Sequence, residues 1–301
     1  MACIQKLGGC AQWPISLRLL VIFASASFYF TSCQEKSQAK IPAWLQIDSV
    51  GMITNYPAQG TAYQNFKDVW VYVDGNLLGG FELPFRIPVL TFGKVPLLLR
   101  PGIFVNGFSG LRAQYSAVRL LSLTRTFKAD SVTTVFPVFS YDSLITFPFL
   151  EDFESAGIQF TFSPGSAAGM VRLSGPGVGY FSNSCGHMVL SSGSALTGQA
   201  ETVNSIFLPK GGRPKFMELH YRCNTPVDVL LICLSSSGLR SEKYIVSLKS
   251  TNNQWNKAYF TLTPFTDAFL EGNQFKPAFR ISRENDNSLV YLDVDNVKVL
   301  Y

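Results

Sequence analysis

The sequence predicts an all-β protein, and three observations carry that expectation. From residue 41 onward the apolar residues show almost no helical periodicity. Short runs rich in Val, Phe, Tyr, Leu and Thr recur instead, several with the strict alternation of a half-buried strand. Gly, Pro, Asn and Asp punctuate those runs where turns are needed. With 47% hydrophobic and only 15% charged residues in 301, the chain lies far from the disordered class. Its formal net charge is +5 and is spread along the chain, so no nucleic-acid partner is expected.

Taken in order, residues 1–18 carry Lys6 and Arg18 and no acidic residue, the asymmetry of a secretion n-region. Residues 19–30 are apolar but too short for a membrane span, which needs roughly 20 residues. The run ends Thr31-Ser32-Cys33 and there resembles the lipobox of bacterial lipoproteins, with Phe30 where that family prefers Leu. The resemblance implies that residues 1–32 are a cleaved signal peptide. It also implies that Cys33 is acylated, with palmitate or a similar chain, and that the mature protein is lipid-anchored in the outer membrane. A plain secretory signal and an uncleaved anchor stay open as alternatives, as does the face of the membrane. Residues 33–40 are the lipidated cysteine and a polar tether, which reaches at most about 25 Å and keeps the folded part near the bilayer.

The first folded unit is expected over residues 41–145. Residues 66–73 alternate, with Val69, Val71 and Val73 on one face and Trp70 and Tyr72 on the other. Asp74-Gly75 supplies the positive-φ turn of a tight hairpin, residues 77–83 return, and Pro84 and Pro88 end regular pairing. Further strands are expected at residues 119–127 and 131–139. Across residues 71–103, Val71, Val73, Asp74, Gly75, Gly79, Pro84, Leu90, Gly93, Pro101 and Gly102 together resemble a PEGA-type module, a small β-sandwich of bacterial envelope proteins. That resemblance implies a small β-sandwich and no catalytic residues.

Residues 140–150 form a seam bracketed by Pro137 and Pro148, and a second unit follows over residues 146–301. Strands are expected at residues 215–223, 227–234, 244–248, 255–262 and 275–282. The opening Phe149-Leu150-Glu151-Asp152-Phe153-Glu154 and the closing Val290–Tyr301 run with Asp295-Asn296-Val297 resemble the first and last strands of a galactose-binding-like β jelly roll, the fold of many carbohydrate-binding modules.

Alternation separates the faces of the second unit. Met217, Leu219, Tyr221 and Cys223 share one face, leaving Glu218, His220 and Arg222 on the other. Trp255 and Tyr259 likewise oppose Ala258, Phe260 and Leu262, and Arg280 opposes Phe279 and Ile281. If these strands share one open sheet, Trp255 and Tyr259 would stack on sugar rings while Glu218, His220, Arg222 and Arg280 bond hydroxyls. A solvated outer face gives the same alternation and stays open as the plain alternative. Glu154 and Asp295, at chain ends that a jelly roll brings together, are candidates for a structural Ca²⁺. No other cofactor is required.

Enzyme motifs are poor. No Gly-x-Ser-x-Gly occurs, the Gly175–Gly179 run has no helix to follow it, and His187 and His220 lack a second histidine at metal spacing. Of the six cysteines, Cys3 and Cys10 fall in the leader and Cys33 takes the lipid. Cys185, Cys223 and Cys233 remain, and a Cys223–Cys233 bridge across a hairpin is open. Asp-Ser-aliphatic triplets at Ser49, Ser131 and Ser143 resemble sites of bacterial O-glycosylation. The sequence therefore predicts a non-catalytic, lipid-anchored envelope protein with a binding role, glycan being the first candidate. A scaffold that contacts other envelope proteins and a glycan-processing enzyme are the alternatives.

Overall fold

A computed structural model describes residues 41–284 and 288–301. The signal peptide expected over residues 1–32, the acylated Cys33 and the tether to residue 40 lie outside the described residues. Among those described, no helix is long and apolar enough to cross a membrane.

The N-terminal part runs through β1 (Ala43–Ile47), β2 (Gly51–Ile53), a short helix α1 (Tyr56–Gln59), β3 (Asp68–Val73) and β4 (Asn76–Glu82). It continues with β5 (Phe85–Val89), β6 (Gly93–Phe104), β7 (Arg112–Gln114), β8 (Leu121–Phe127), β9 (Val132–Thr134) and β10 (Val138–Ser140). The β3–β4 hairpin turns where the sequence demands it. Val73 pairs with Asn76, and Asp74 and Gly75 take φ of 51° and 78°, the positive values of a primed two-residue turn. Val69, Val71 and Val73 point into a core shared with Leu45, Ile47, Val89 and Leu97, so the β4-β3-β6-β7 sheet, with β8 on β6, packs against the β5-β1-β9 sheet. Pro88 stays inside β5 rather than ending it, opposite Trp44, because β5 is an edge strand.

The C-terminal part comprises β11 (Phe149–Glu151), β12 (Phe160–Phe162), β13 (Val171–Ser174), β14 (Ser184–Leu190), β15 (Thr197–Thr202) and β16 (Ile206–Phe207). There follow β17 (Phe216–Cys223), β18 (Val227–Leu234), β19 (Arg240–Leu248), β20 (Asn256–Thr261), α2 (Thr263–Ala268), β21 (Gln274–Ser282) and β22 (Val290–Leu300). They form two six-stranded sheets. One has the order β13-β14-β22-β17-β20 with β11 on β22, and the other the order β12-β15-β21-β18-β19 with β16 on β21. Every pairing in both sheets is antiparallel, and the first and last strands meet, Phe149 opposite Val299 and Glu151 opposite Val297.

Between the sheets, Met217, Leu219, Tyr221 and Cys223 of β17 meet Val227, Val229, Leu231 and Cys233 of β18, with Phe153, Phe260, Phe275 and Phe279 filling the space. Cys185, Cys223 and Cys233 are free. The Cys223–Cys233 bridge left open across a hairpin is absent, and the hairpin is too, since β17 and β18 belong to opposing sheets.

The apolar cluster of the N-terminal part does not stop at residue 145. It takes in Phe216, Tyr259 and Leu300 from the outer side of the β17-β20-β22 sheet, and Ile41–Tyr301 forms one compact unit. Ser49 and Ser143 are exposed. Ser131 is half-buried and donates its hydroxyl to Lys128 O at 2.7 Å.

Candidate functional site

The sheet containing β17 has its inner side in the sandwich core, so Glu218, His220 and Arg222 of β17, Lys257 and Tyr259 of β20, and Asp293, Asp295 and Lys298 of β22 must leave from the other side. The N-terminal part covers half of that side. Glu218 is 1% exposed: its Oε1 accepts hydroxyls from Tyr115 at 2.5 Å and Tyr141 at 2.8 Å, and its Oε2 lies 2.6 Å from Lys257 Nζ. Lys298 Nζ donates to Thr61 O at 2.5 Å and Tyr141 Oη at 3.2 Å, and Lys257 Nζ to Tyr63 O at 2.6 Å. Burial would raise the Glu218 carboxyl, but the Lys257 and Lys298 charges overcome it and hold it at about 2. Burial, then the same two lysines, drives His220 down to about 2, leaving a neutral imidazole stacked 4.0 Å from Tyr180.

Glu218, His220 and Tyr259 therefore do not lie on an open face, contrary to the sequence expectation. A period of two distinguishes the two sides of a strand but not solvent from a second sheet.

Beyond the covered half the sheet is open, and there Arg222 and Trp255 do come together. The Arg222 guanidinium sits 4.9 Å from the Trp255 ring and donates from Nε and Nη2 to Asp293 Oδ2 at 2.9 and 2.6 Å. Asp293 Oδ1 lies 2.6 Å from His187 Nδ1. Tyr180 meets the Trp255 ring edge-on at 6.2 Å, Phe181 at 4.6 Å and Tyr63 at 5.3 Å. Phe181 is 74% exposed. The result is a strip of rings with one guanidinium fixed at its Trp255 end.

Asp295 and Glu154 hold the loop that presents Tyr180 and Phe181. Asp295 Oδ2 accepts from Tyr180 N at 2.7 Å and Ser182 Oγ at 2.8 Å, and Oδ1 from its neighbour Asn296 N at 2.6 Å. Glu154 Oε1 accepts from Asn183 N at 3.1 Å and Ser184 N at 2.8 Å. Burial raises the Asp295 carboxyl to about 7 against the lowering effect of those donors. Between them Gly179 has no room for a side chain, since a Cβ would fall 2.0 Å from Ser182 Oγ and 2.2 Å from Ser184 O. The two carboxylates predicted to share a Ca²⁺ are thus engaged by loop N–H and O–H groups. Among the described residues no group of three or more His, Cys, Asp or Glu side chains could hold a metal.

Trp255 also walls a cavity of about 400 Å³ that runs beside β20 into a second of about 330 Å³, the two sharing Gly107, Ser109, Tyr221 and Asn256. The β6–β7 loop makes their far wall because it caps the free edge of β20: Asn106 N donates to Tyr259 O at 2.8 Å and Thr261 N to Asn106 Oδ1 at 3.0 Å. A flat ring beside amides and hydroxyls can pack an apolar face and bond polar groups around its rim.

Arg280 is elsewhere. It lies on the opposite sheet, where its Nε donates to Gln199 Oε1 at 2.9 Å, its guanidinium pairs with Glu242, and it lines a separate cavity of about 290 Å³. It cannot act on the same ligand surface as Trp255, because the sandwich core lies between the two outer sides.

No known family matches the chain, and no curated protein does. Solved structures align with parts of the chain. The xylan-binding domain CBM22-1 from Paenibacillus barcinonensis Xyn10C is 12% identical over 51% of this chain and 92% of that one, with a TM-score of 0.36. A carbohydrate-binding module of the β-sandwich superfamily, described for promiscuous specificity, is 15% identical over 78% of this chain and 84% of its own, also at 0.36. The K2 cleaved adhesin domain of Lys-gingipain is 14% identical over 50% of this chain and 98% of that one, at 0.34.

Sequence reasoning missed Tyr63, Tyr180, Phe181 and the Asn106–Ser109 wall, and it did not place His187 and Asp293 beside Arg222. One signal was present: the glycine run 175–179 ends directly in Tyr180-Phe181, a glycine-rich loop tipped with two rings.

Proposed function

We propose that this chain is a non-catalytic glycan-binding protein of the bacterial envelope, exported and held to the outer membrane through an acylated Cys33. The observation that carries the binding reading is Trp255: its ring joins the aromatic strip to the 400 Å³ cavity, whose polar lining is amide, hydroxyl and the ammonium group of Lys249. Arg222, fixed by Asp293 and stacked on that ring, presents donors to hydroxyls beside it. Two observations support binding rather than turnover. Burial raises the Cys185 thiol to about 12, too high for a nucleophile. The described residues lining the cavities at Trp255 contain no pair of carboxylates such as glycoside hydrolysis uses.

Affinity electrophoresis of Ile41–Tyr301 in gels cast with a panel of polysaccharides tests the binding part. Retardation by at least one polymer, abolished in Trp255→Ala with the far-UV spectrum unchanged, is the expected result. Equal mobility in every gel removes the reading. Mass spectrometry of the natural protein tests the anchor: an acylated Cys33 at the N-terminus is expected, and an unprocessed Met1 would remove it. The same spectrum reports whether Ser49, Ser131 or Ser143 carries a glycan, and pull-down of the anchored protein reports any envelope partner.

A further inference from the structure

The two cavities at Trp255 differ in chemistry from two others on the molecule. Glu151 and Asp152 line a cavity of about 130 Å³ beside Tyr56, and Glu242 lines the 290 Å³ cavity on the opposite sheet. Among the described residues lining the 400 and 330 Å³ cavities there is no carboxylate. There are three ammonium groups: Lys249 in the first, Lys67 and Lys257 in the second. Lys257 is neutralised by Glu218 at 2.6 Å. Lys67 and Lys249 are exposed, and neither belongs to an ion pair among the described residues.

The two cavities share Gly107, Ser109, Tyr221 and Asn256, so they form one groove with an uncompensated cation on each side of its neutral middle. Amides and hydroxyls would suffice for a neutral sugar. Two lysines without counter-charge instead raise the local concentration of an anion.

Resting on the glycan reading above, we propose that the groove takes an acidic oligosaccharide. Its carboxylate or sulfate groups meet Lys67 and Lys249 while a ring face packs on Trp255. An ammonium is a point charge that accepts either anion, so the groove selects charged from neutral chains more strongly than one acid from another. The interaction is exposed and weakens with added salt.

The test uses the full chain purified from membranes in detergent and two matched pairs of polymers: polygalacturonate with its carboxyl-reduced form, and dextran sulfate with dextran. An acidic polymer is expected to bind more tightly than its neutral partner, and the pair that shows the larger gap identifies the anion. The double variant Lys67→Gln/Lys249→Gln should lose about fivefold in affinity for the acidic polymer, the worth of two exposed ion pairs, and nothing for the neutral one. Trp255→Ala should weaken both. Equal binding of acidic and neutral chains overturns the proposal and leaves the glycan reading standing, as does a charge preference that survives the double variant. A loss of the same size in Lys94→Gln, outside the groove, overturns it too, because diffuse charge would then suffice. Failure of all four polymers and of every neutral polysaccharide removes both readings together.

Discussion

Tyr115 donates its hydroxyl to Glu218 at 2.5 Å across 103 residues of sequence, joining the N-terminal sheets to the outer side of β17. With Tyr141, Lys257 and Lys298 around it, this carboxylate is the buried ionic centre of the contact between the two parts of the chain. A buried charge is tolerated only where it is paired and hydrogen-bonded, and here both requirements are met.

Glu218→Gln should therefore destabilise the fold by about 3 kcal/mol, since Lys257 is left buried beside a neutral amide. Urea unfolding of Ile41–Tyr301 measures it. A change below about 0.5 kcal/mol would show that the contact does not depend on the pair.

The Asp295 carboxyl gives a pH signature of the opposite sense to Glu218. Its folded pKa is raised from 3.8 to about 7 by burial, so its contribution is fully present below the unfolded value and is lost as pH rises through the folded one. The stability of the wild type should fall relative to Asp295→Asn between pH 3.8 and about 7, by an amount on the order of 4 kcal/mol. Glu218, held down at about 2 from 4.5, works the other way and loses its contribution as pH falls through that lower window. Parallel curves for the two proteins from pH 4 to 8 would refute the assignment to Asp295.

Gly179→Ala should disturb ligand binding without unfolding the sandwich. Its Cβ would overlap Ser182 Oγ and Ser184 O, displacing the loop that displays Tyr180 and Phe181 at a strain cost of about 1–3 kcal/mol. Weaker retardation in affinity gels is expected, with a cooperative melt whose midpoint is lowered by several degrees. An unaltered affinity would mean that the two rings take no part.

Arg222→Lys keeps the charge yet loses the two-pronged contact with Asp293 and the flat stacking on Trp255. A loss of about 1 kcal/mol in glycan affinity is expected. Wild-type affinity in this variant would show that the guanidinium plane is not used.

The three cysteines of Ile41–Tyr301 should be inert in the native state. Burial raises the thiols of Cys185, Cys223 and Cys233 to about 12, 11 and 11, far above any labelling pH. Iodoacetamide at pH 8 should label none until denaturant is added and all three afterwards. Rapid native labelling of Cys223 or Cys233 would contradict their placement between the sheets.

The chain's own residue order determined which strands form and which side of each enters a core. Met217, Leu219 and Tyr221 alternate with Glu218 and His220, while Val69, Val71 and Val73 alternate with Trp70 and Tyr72, and in both strands it is the Val or Met-Leu-Tyr side that enters a core. Asp74-Gly75 placed a turn because few residue pairs accept two successive positive φ angles. Tertiary structure alone decided what became of the polar sides. Glu218 and Lys257 read like Arg222 and Arg280, yet the first two are buried against Tyr115, Tyr141 and Tyr63, while the others keep access to solvent on two different sheets. Alternation records only that the two sides of a strand differ. Whether a polar side meets water or a second sheet depends on contacts 77 to 194 residues apart, which no local pattern contains.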